Sequence, residues 1–219
     1  MTAQLPQNQN NNVILQSLLK TYQDFFQEPK GFPPSKAHGH VIPLKQWSQA
    51  VNLMAYRYLR LQKDVLKNIV MEMLEAGTIK PSTNPFTSLV ILVKKKKNST
   101  YRALNKLTIK DKYPITMVEG LLEELMGTVV FSKIDLESRY HQIWMALGEK
   151  IKIAFRKHGG HYEFLVMSFG LTNTLATFQS LINEVFREHF RKFILVFFDD
   201  ILVYSQTLTN HYKHLRTVL

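Results

Sequence analysis

The chain has 219 residues, 45% hydrophobic and 21% charged, with 28 Lys or Arg against 17 Asp or Glu and a formal charge of +11. That length suits one domain plus a tail, or the front of a larger assembly. The longest apolar runs are far too short to span a bilayer, and the absence of cysteine removes disulfides, thiolate zinc sites and a cysteine nucleophile together.

Residues 1–12 are uncharged and rich in Gln and Asn, which predicts a disordered lead-in rather than a signal peptide. Residues 13–27 carry Val13, Ile14, Leu18, Tyr22, Phe25 and Phe26 at near-helical spacing. Residues 31–58 are irregular and Pro-punctuated, which predicts an extended run over the surface with no core of its own. Residues 61–76 form an amphipathic helix stopped by Gly77, and residues 87–93 a strand ending in the run Lys94 to Lys97. In the second half, residues 118–126 read as a helix, and 129–134 and 141–145 as strands. Residues 151–156 and 161–167 read as a hairpin around Lys157-His158-Gly159-Gly160. Residues 172–190 are a helix capped by Thr172 or Asn173. Two strands, 193–198 and 201–204, flank Asp199-Asp200, and a last helix follows. Mixed strands and helices with hairpins predict an α+β fold with an antiparallel sheet.

The charge is lopsided. Residues 1–110 hold 16 basic and 5 acidic residues, whereas residues 111–219 hold 12 of each. The first half either attracts a polyanion, nucleic acid before a membrane surface, or is a solvated basic face.

Asp199 and Asp200 interrupt two apolar strands. Adjacent ionised carboxylates beside a core are costly unless a cation neutralises them or the turn is open to water. Residues 129–135 are a second apolar strand with a carboxylate, Asp135, at its end. If these strands are neighbours in one sheet, three carboxylates converge at one edge, a donor set for two hard divalent cations in phosphoryl transfer. An ordinary solvated turn is the alternative. The histidine pairs His158 with His161 and His211 with His214 form no recognised metal pattern, so turn and helix-surface positions are their expected setting.

Phe197-Phe198-Asp199-Asp200 resembles the aromatic-x-Asp-Asp box of reverse transcriptases. Phe131-Ser-Lys-Ile-Asp135-Leu-Glu-Ser-Arg-Tyr140-His-Gln-Ile143 resembles the first-aspartate motif of gypsy-type LTR retrotransposon polymerases. So do residues 161–173 with Ala176-Thr-Phe-Gln179, Tyr101-Arg-Ala-Leu-Asn-Lys106, and residues 74–82, in consistent order from about residue 24 to the end. The resemblance implies a right-hand polymerase cut before the thumb: a tail over 1–12, a lead-in over 13–60, fingers over 61–116, and a palm over 117–219 with finger elements near 150–167. It implies that Asp135, Asp199 and Asp200 are catalytic and hold two Mg²⁺ ions, with Mn²⁺ as a substitute. Tyr140 would exclude a ribose 2′-hydroxyl and so select dNTPs. Phe169, Gly170 and Lys95 would line the nucleotide pocket, and Lys94, Lys96, Arg102 and Asn105 would meet an RNA or DNA template bearing its primer. An intracellular location, cytoplasm or nucleus, follows from such a role.

The sequence also departs from that family. The segment between the lysine run and Tyr101 is about five residues short, enough to abolish a strand of ordinary length, and an arginine that grips the triphosphate has no counterpart. Arg139 stands where the family has glycine, Ser168 replaces a proline, and Thr174-Leu175 replaces Ala-Pro. These changes predict an impaired polymerase, with a catalytically silent nucleic-acid-binding remnant as the alternative.

Overall fold

The computed structural model describes residues 9–27, 39–49, 60–84, 87–93, 96–111, 120, 123–136, 139–157, 160–197 and 200–219. They belong to two compact units. One comprises Met1–Pro29, Thr116–Asp135 and Phe186–Leu219; the other comprises Lys30–Ile115 and Leu136–Val185.

In the first unit, β4 (Val130–Asp135), β7 (Ile194–Phe197) and β8 (Asp200–Ser205) form an antiparallel sheet in the order β4-β8-β7. Period-two alternation sends Ile134 and Val203 to one face. There they pack with Leu18 of α1 (Gln9–Thr21) and Leu215 of the final helix (Leu208–Val218). The opposite face carries Leu195, Leu202, Tyr204 and Phe197, covered in part by Leu125. Both faces of β8 are therefore occupied, which is why its sequence is almost continuously apolar instead of alternating. Thr207 caps the final helix, its side chain accepting a hydrogen bond from the Asn210 backbone N–H at 3.3 Å.

In the second unit, β1 (Ile79–Pro81), β2 (Ser88–Val93), β3 (Lys96–Thr100), β5 (Phe155–Lys157) and β6 (Gly160–Phe164) form a sheet in the order β1-β6-β5-β2-β3. Its pairs are antiparallel except β2 with β5, which run parallel. Helix α2 (Arg60–Glu75) feeds β1 through a tight stop: Gly77 has φ +70°, its N–H donates to the Leu74 carbonyl at 3.0 Å, and Thr78 N–H donates to Met73 at 3.0 Å. Two more helices complete the unit, α3 (Arg102–Leu107) and α4 (Thr174–Val185).

The antiparallel sheet, α2 and the closing helix agree with the sequence pattern, and the expected 151–167 hairpin is present but shorter, pairing β5 with β6, because Lys150–Ile153 is a 3₁₀ turn instead of strand. Several expectations need correction. Residues 9–12 are helical, the first turn of α1, because docking of Leu15, Leu18 and Tyr22 against the sheet overrides the polar composition. Residues 39–49 run largely over the surface, as expected, with Trp47 96% exposed, but two of their side chains are buried. His40 and Ile42 are 1% and 2% exposed. His40 N–H donates to the Trp144 carbonyl at 2.8 Å, and its carbonyl accepts from Ala146 at 2.9 Å. Gly39 makes this approach possible, since a Cβ there would sit 2.7 Å from the Ala146 nitrogen. A segment held by single bridges rather than a ladder leaves no periodicity to read.

Residues 141–145 are likewise not a strand but a 3₁₀ turn (Arg139–Gln142) followed by isolated bridges. Helix α4 stops at Val185, five residues early, where the Phe186 carbonyl accepts from both His189 and Phe190 N–H and turns the chain. The shortened stretch after the lysine run does not abolish a strand: β3 forms from Lys96 to Thr100 and pairs with β2 from Val93↔Lys96 to Leu89↔Thr100. A polar edge strand needs backbone bonding more than apolar side chains, and lysine is a common residue there. The helix expected over 118–126 lies partly outside the described residues; Gly120, Glu123 and Glu124 are helical and Leu125 and Met126 form a turn.

Beneath the first unit's sheet lies a hydroxyl-imidazole network. His211, 2% exposed, has Nε2 2.8 Å from Ser132 Oγ and Nδ1 3.0 Å from Ser205 Oγ. Ser205 Oγ also lies 2.8 Å from Nδ1 of His214, whose ring stacks on Phe193 at 4.0 Å. Burial, followed by the nearby His214, lowers the His211 pKa from 6.5. In the second unit burial pushes His40 down to about 4, against an opposing pull from Glu149. Both histidines bind a proton more readily in the unfolded chain, so their stabilisation is complete above about pH 6.5 and is lost as pH falls. His40 alone accounts for about 3 kcal/mol by pH 4. The urea midpoint is expected to drop between pH 7.5 and 5, and His211→Asn is expected to flatten that slope. A midpoint constant over this range would contradict the buried neutral imidazoles.

Candidate active site

The site begins with strand register. β4 pairs with β8 so that Asp135 stands directly opposite Asp200, with Ile134 opposite Ile201 and Lys133 opposite Leu202. Opposed residues in an antiparallel pair share a face and lie roughly 5 Å apart at Cβ. The adjacency that the sequence left conditional is therefore present. Asp135 is exposed and Asp200 half-buried, so both can meet solvent and ligand. On the same face, one step along β4, Lys133 Nζ lies 2.8 Å from Asp200 Oδ2, with the two side chains 60% and 45% exposed. Asp199 lies outside the described residues, and among the described residues no group of three or more His, Cys, Asp or Glu gathers. Sequence reasoning passed over Lys133, although its position two residues before Asp135 was sufficient to put both on one face.

The second unit arranges the predicted nucleotide-pocket residues. Tyr140 and Phe169 have ring centroids 5.7 Å apart, and Tyr140 meets the buried Phe178 edge-on at 5.9 Å. Tyr140 is thus a half-buried ring held from two sides, while Phe169 stays 41% exposed. Gly170 has φ +93°, a backbone state that disfavours any side chain. Asn105 fixes this turn: Nδ2 donates to the Gly170 carbonyl at 2.8 Å and Oδ1 accepts from Thr172 N–H at 3.1 Å. The Asn105 amide thus joins α3 to the 169–172 turn. Arg102 is the exposed first residue of α3. Lys96 opens β3, and Lys94 and Lys95 lie outside the described residues.

Asn173, one of the two expected helix caps, uses its side chain on a neighbouring segment. Its Oδ1 accepts from Asp111 N–H at 3.1 Å and its Nδ2 donates to the Ile109 carbonyl at 2.9 Å. This clamp lines a cavity of about 540 Å³ with Lys110, Thr177 and Glu184. Among the described residues no histidine joins a metal-holding group, and His211, expected on a helix surface, is instead buried. Both ring nitrogens of His211 face serine hydroxyls, and His158 lies outside the described residues.

Residues 95–219 match the family described as "Reverse transcriptase (RNA-dependent DNA polymerase)". The chain belongs to the reverse transcriptase family. It is 34% identical over 183 residues to the Pol polyprotein of the Drosophila melanogaster transposon gypsy, covering 78% of this chain and 18% of that protein. It is 47% identical over 121 residues to an RNA-directed DNA polymerase homolog of Oenothera berteroana, covering 54% and 85% respectively. These relatives make it a gypsy-type retrotransposon reverse transcriptase sequence, of a nucleotidyltransferase family. The chain spans only about a fifth of the polyproteins it matches. A foamy viral protease-reverse transcriptase in complex with RNA/DNA hybrid shares the fold, with a TM-score of 0.78 and 21% identity over 100% of this chain and 32% of that one.

The Asn105 bridge yields a direct expectation for this reverse transcriptase fold. Asn105→Ala removes both bonds, at a cost of about 1–3 kcal/mol, and speeds hydrogen exchange at the Thr172 amide. Asn105→Asp keeps the acceptor for Thr172 but sets an oxygen against the Gly170 carbonyl. It is expected to slow Thr172 exchange relative to Asn105→Ala. Equal exchange in all three proteins would show that the bridge does not hold the turn.

Proposed function

We propose that this chain is the fingers-and-palm part of an RNA-directed DNA polymerase, transferring a nucleotide from a dNTP to a primer 3′-hydroxyl on an RNA or DNA template. The observation that carries the reading is the β4–β8 register, which sets Asp135 opposite Asp200 on one accessible face. Asp199, adjacent in sequence to Asp200, completes the set. Carboxylate oxygens are the donors that Mg²⁺, or Mn²⁺ in its place, prefers, and the ion pair with Lys133 marks a site where a cation is already favourable. When bound, a pair of such ions supplies Lewis-acid stabilisation of the attacking and leaving oxygens.

The protein's own residues do the rest. Asp135, Asp199 and Asp200 hold the charge, and the sheet fixes the spacing. Tyr140, braced by Phe169 and Phe178, offers a rigid ring that selects against a 2′-hydroxyl. Phe169 and Gly170, in a turn anchored by Asn105, face the nucleotide; in this reading Lys95 binds the triphosphate and Lys94, Lys96 and Arg102 supply positive charge for the template. Nucleic acid as partner is supported by the RNA/DNA hybrid and double-stranded DNA named with the foamy viral neighbours. The reading divides the chain into fingers over 61–116 and palm over 117–219; the sheet of β4, β7 and β8 falls in the palm span, whereas Leu136–Val185 groups in one compact unit with Lys30–Ile115. The finger elements near 150–167 agree with β5 and β6 joining β1, β2 and β3.

Synthesis is expected to be inefficient. Because β3 forms, the argument for impairment rests on the missing triphosphate-binding arginine and on Arg139 beside Tyr140. The same Arg139 favours the second reading, a silent nucleic-acid-binding remnant. Primer extension with Mg²⁺ and dNTPs separates the two. Weak extension that falls a further hundredfold or so in Asp200→Asn, a loss of several kcal/mol of transition-state stabilisation, and that rises in Arg139→Gly, supports the polymerase. Salt-sensitive template binding with no extension in either the parent chain or Arg139→Gly overturns it in favour of the remnant.

A further inference from the structure

We infer that Lys133 is an internal counter-cation for the carboxylate pair, occupying Asp200 when no divalent ion is bound and yielding when one arrives, so that it sets the metal concentration at which the site fills. The inference rests on reading Asp135 and Asp200 as metal-holding residues.

The geometry is specific. Asp135 and Asp200 are brought together by backbone pairing, not by choice of rotamer, so two like charges are held close whatever the ligand state. Lys133 reaches Asp200 diagonally across the same two strands, with its ammonium 2.8 Å from Oδ2. Both partners are about half exposed, and an ion pair in that setting is weak and exchangeable. The lysine stem is flexible and its ammonium is a compact point charge, so it can leave without moving the strand. A divalent cation entering between the two carboxylates replaces one positive charge with two and repels the ammonium at short range. The ion must therefore both displace Lys133 and bind against its field.

Removing that charge while keeping the stem should tighten metal binding. In the full 219-residue chain, Mn²⁺ titration followed by electron paramagnetic resonance is expected to show Lys133→Met binding roughly threefold to tenfold tighter than the parent chain. The Mn²⁺-induced rise in melting temperature should increase in step. Lys133→Arg, which keeps the charge, should match the parent affinity or fall below it. If Lys133→Met does not fold, Lys133→Gln serves the same comparison.

Unchanged affinity in Lys133→Met would mean the pair is a surface contact only, and weaker affinity would mean the lysine positions Asp200 for the ion; either result overturns the inference. Asp200→Asn separates this from the site reading. If Mn²⁺ binding in the parent chain is absent, or survives Asp200→Asn, the metal site itself is wrong and the role of Lys133 falls with it.

Discussion

Everything at this site depends on one unfavourable juxtaposition, two carboxylates held face to face by a β-ladder. Side chains opposed across an antiparallel pair cannot drift apart, and like charges in that position weaken the sheet. The fold compensates around them. Apolar clusters cover both faces of β8. Lys133 supplies a positive charge within hydrogen-bond distance of Asp200. A local conflict tolerated inside an otherwise consistent strand is the usual mark of a working site.

The second unit solves a different problem, the shaping of an irregular loop. Its 169–172 turn has an unfavourable backbone at Gly170 and no ladder of its own, so side-chain amides substitute for strand pairing. Asn105 ties the turn to α3, and Asn173 ties the start of α4 to residues 109–111. His40 contributes in the same way, with Nδ1 2.8 Å from Thr177 Oγ1 of α4. The amides of Asn105 and Asn173 are suited to this task, because they bond backbone groups without the cost of desolvating an ion.

Regular elements were readable from the sequence where one face is buried continuously: α2, the hairpin of β7 and β8, and the final helix. The opposition of Asp135 and Asp200 was foreshadowed because charge is conspicuous on apolar strands. What escaped detection has a common cause, since its signal is neither periodic nor local. The burial of His40 and Ile42 comes in a segment held by single bridges to residues more than 60 positions away. β3 was not expected because the segment is about five residues short, yet a short polar edge strand still pairs with β2. The two hydrogen bonds from Asn105 to the 169–172 turn span more than 60 positions and leave no local pattern. Lys133 carried a signal, the two-residue spacing from Asp135, which gains meaning only once β8 is known to lie alongside.

Alternation along β4 has one further consequence. Because its side chains change face at every step, removing one residue between Val130 and Asp135 would leave the composition nearly intact and turn Asp135 toward Leu18 and Leu215, with an aliphatic residue in its place opposite Asp200. Among related copies of this sequence, a one-residue length change in this strand is therefore a more decisive sign of lost chemistry than many substitutions, whereas loops outside the sheets can vary in length without reversing any side chain.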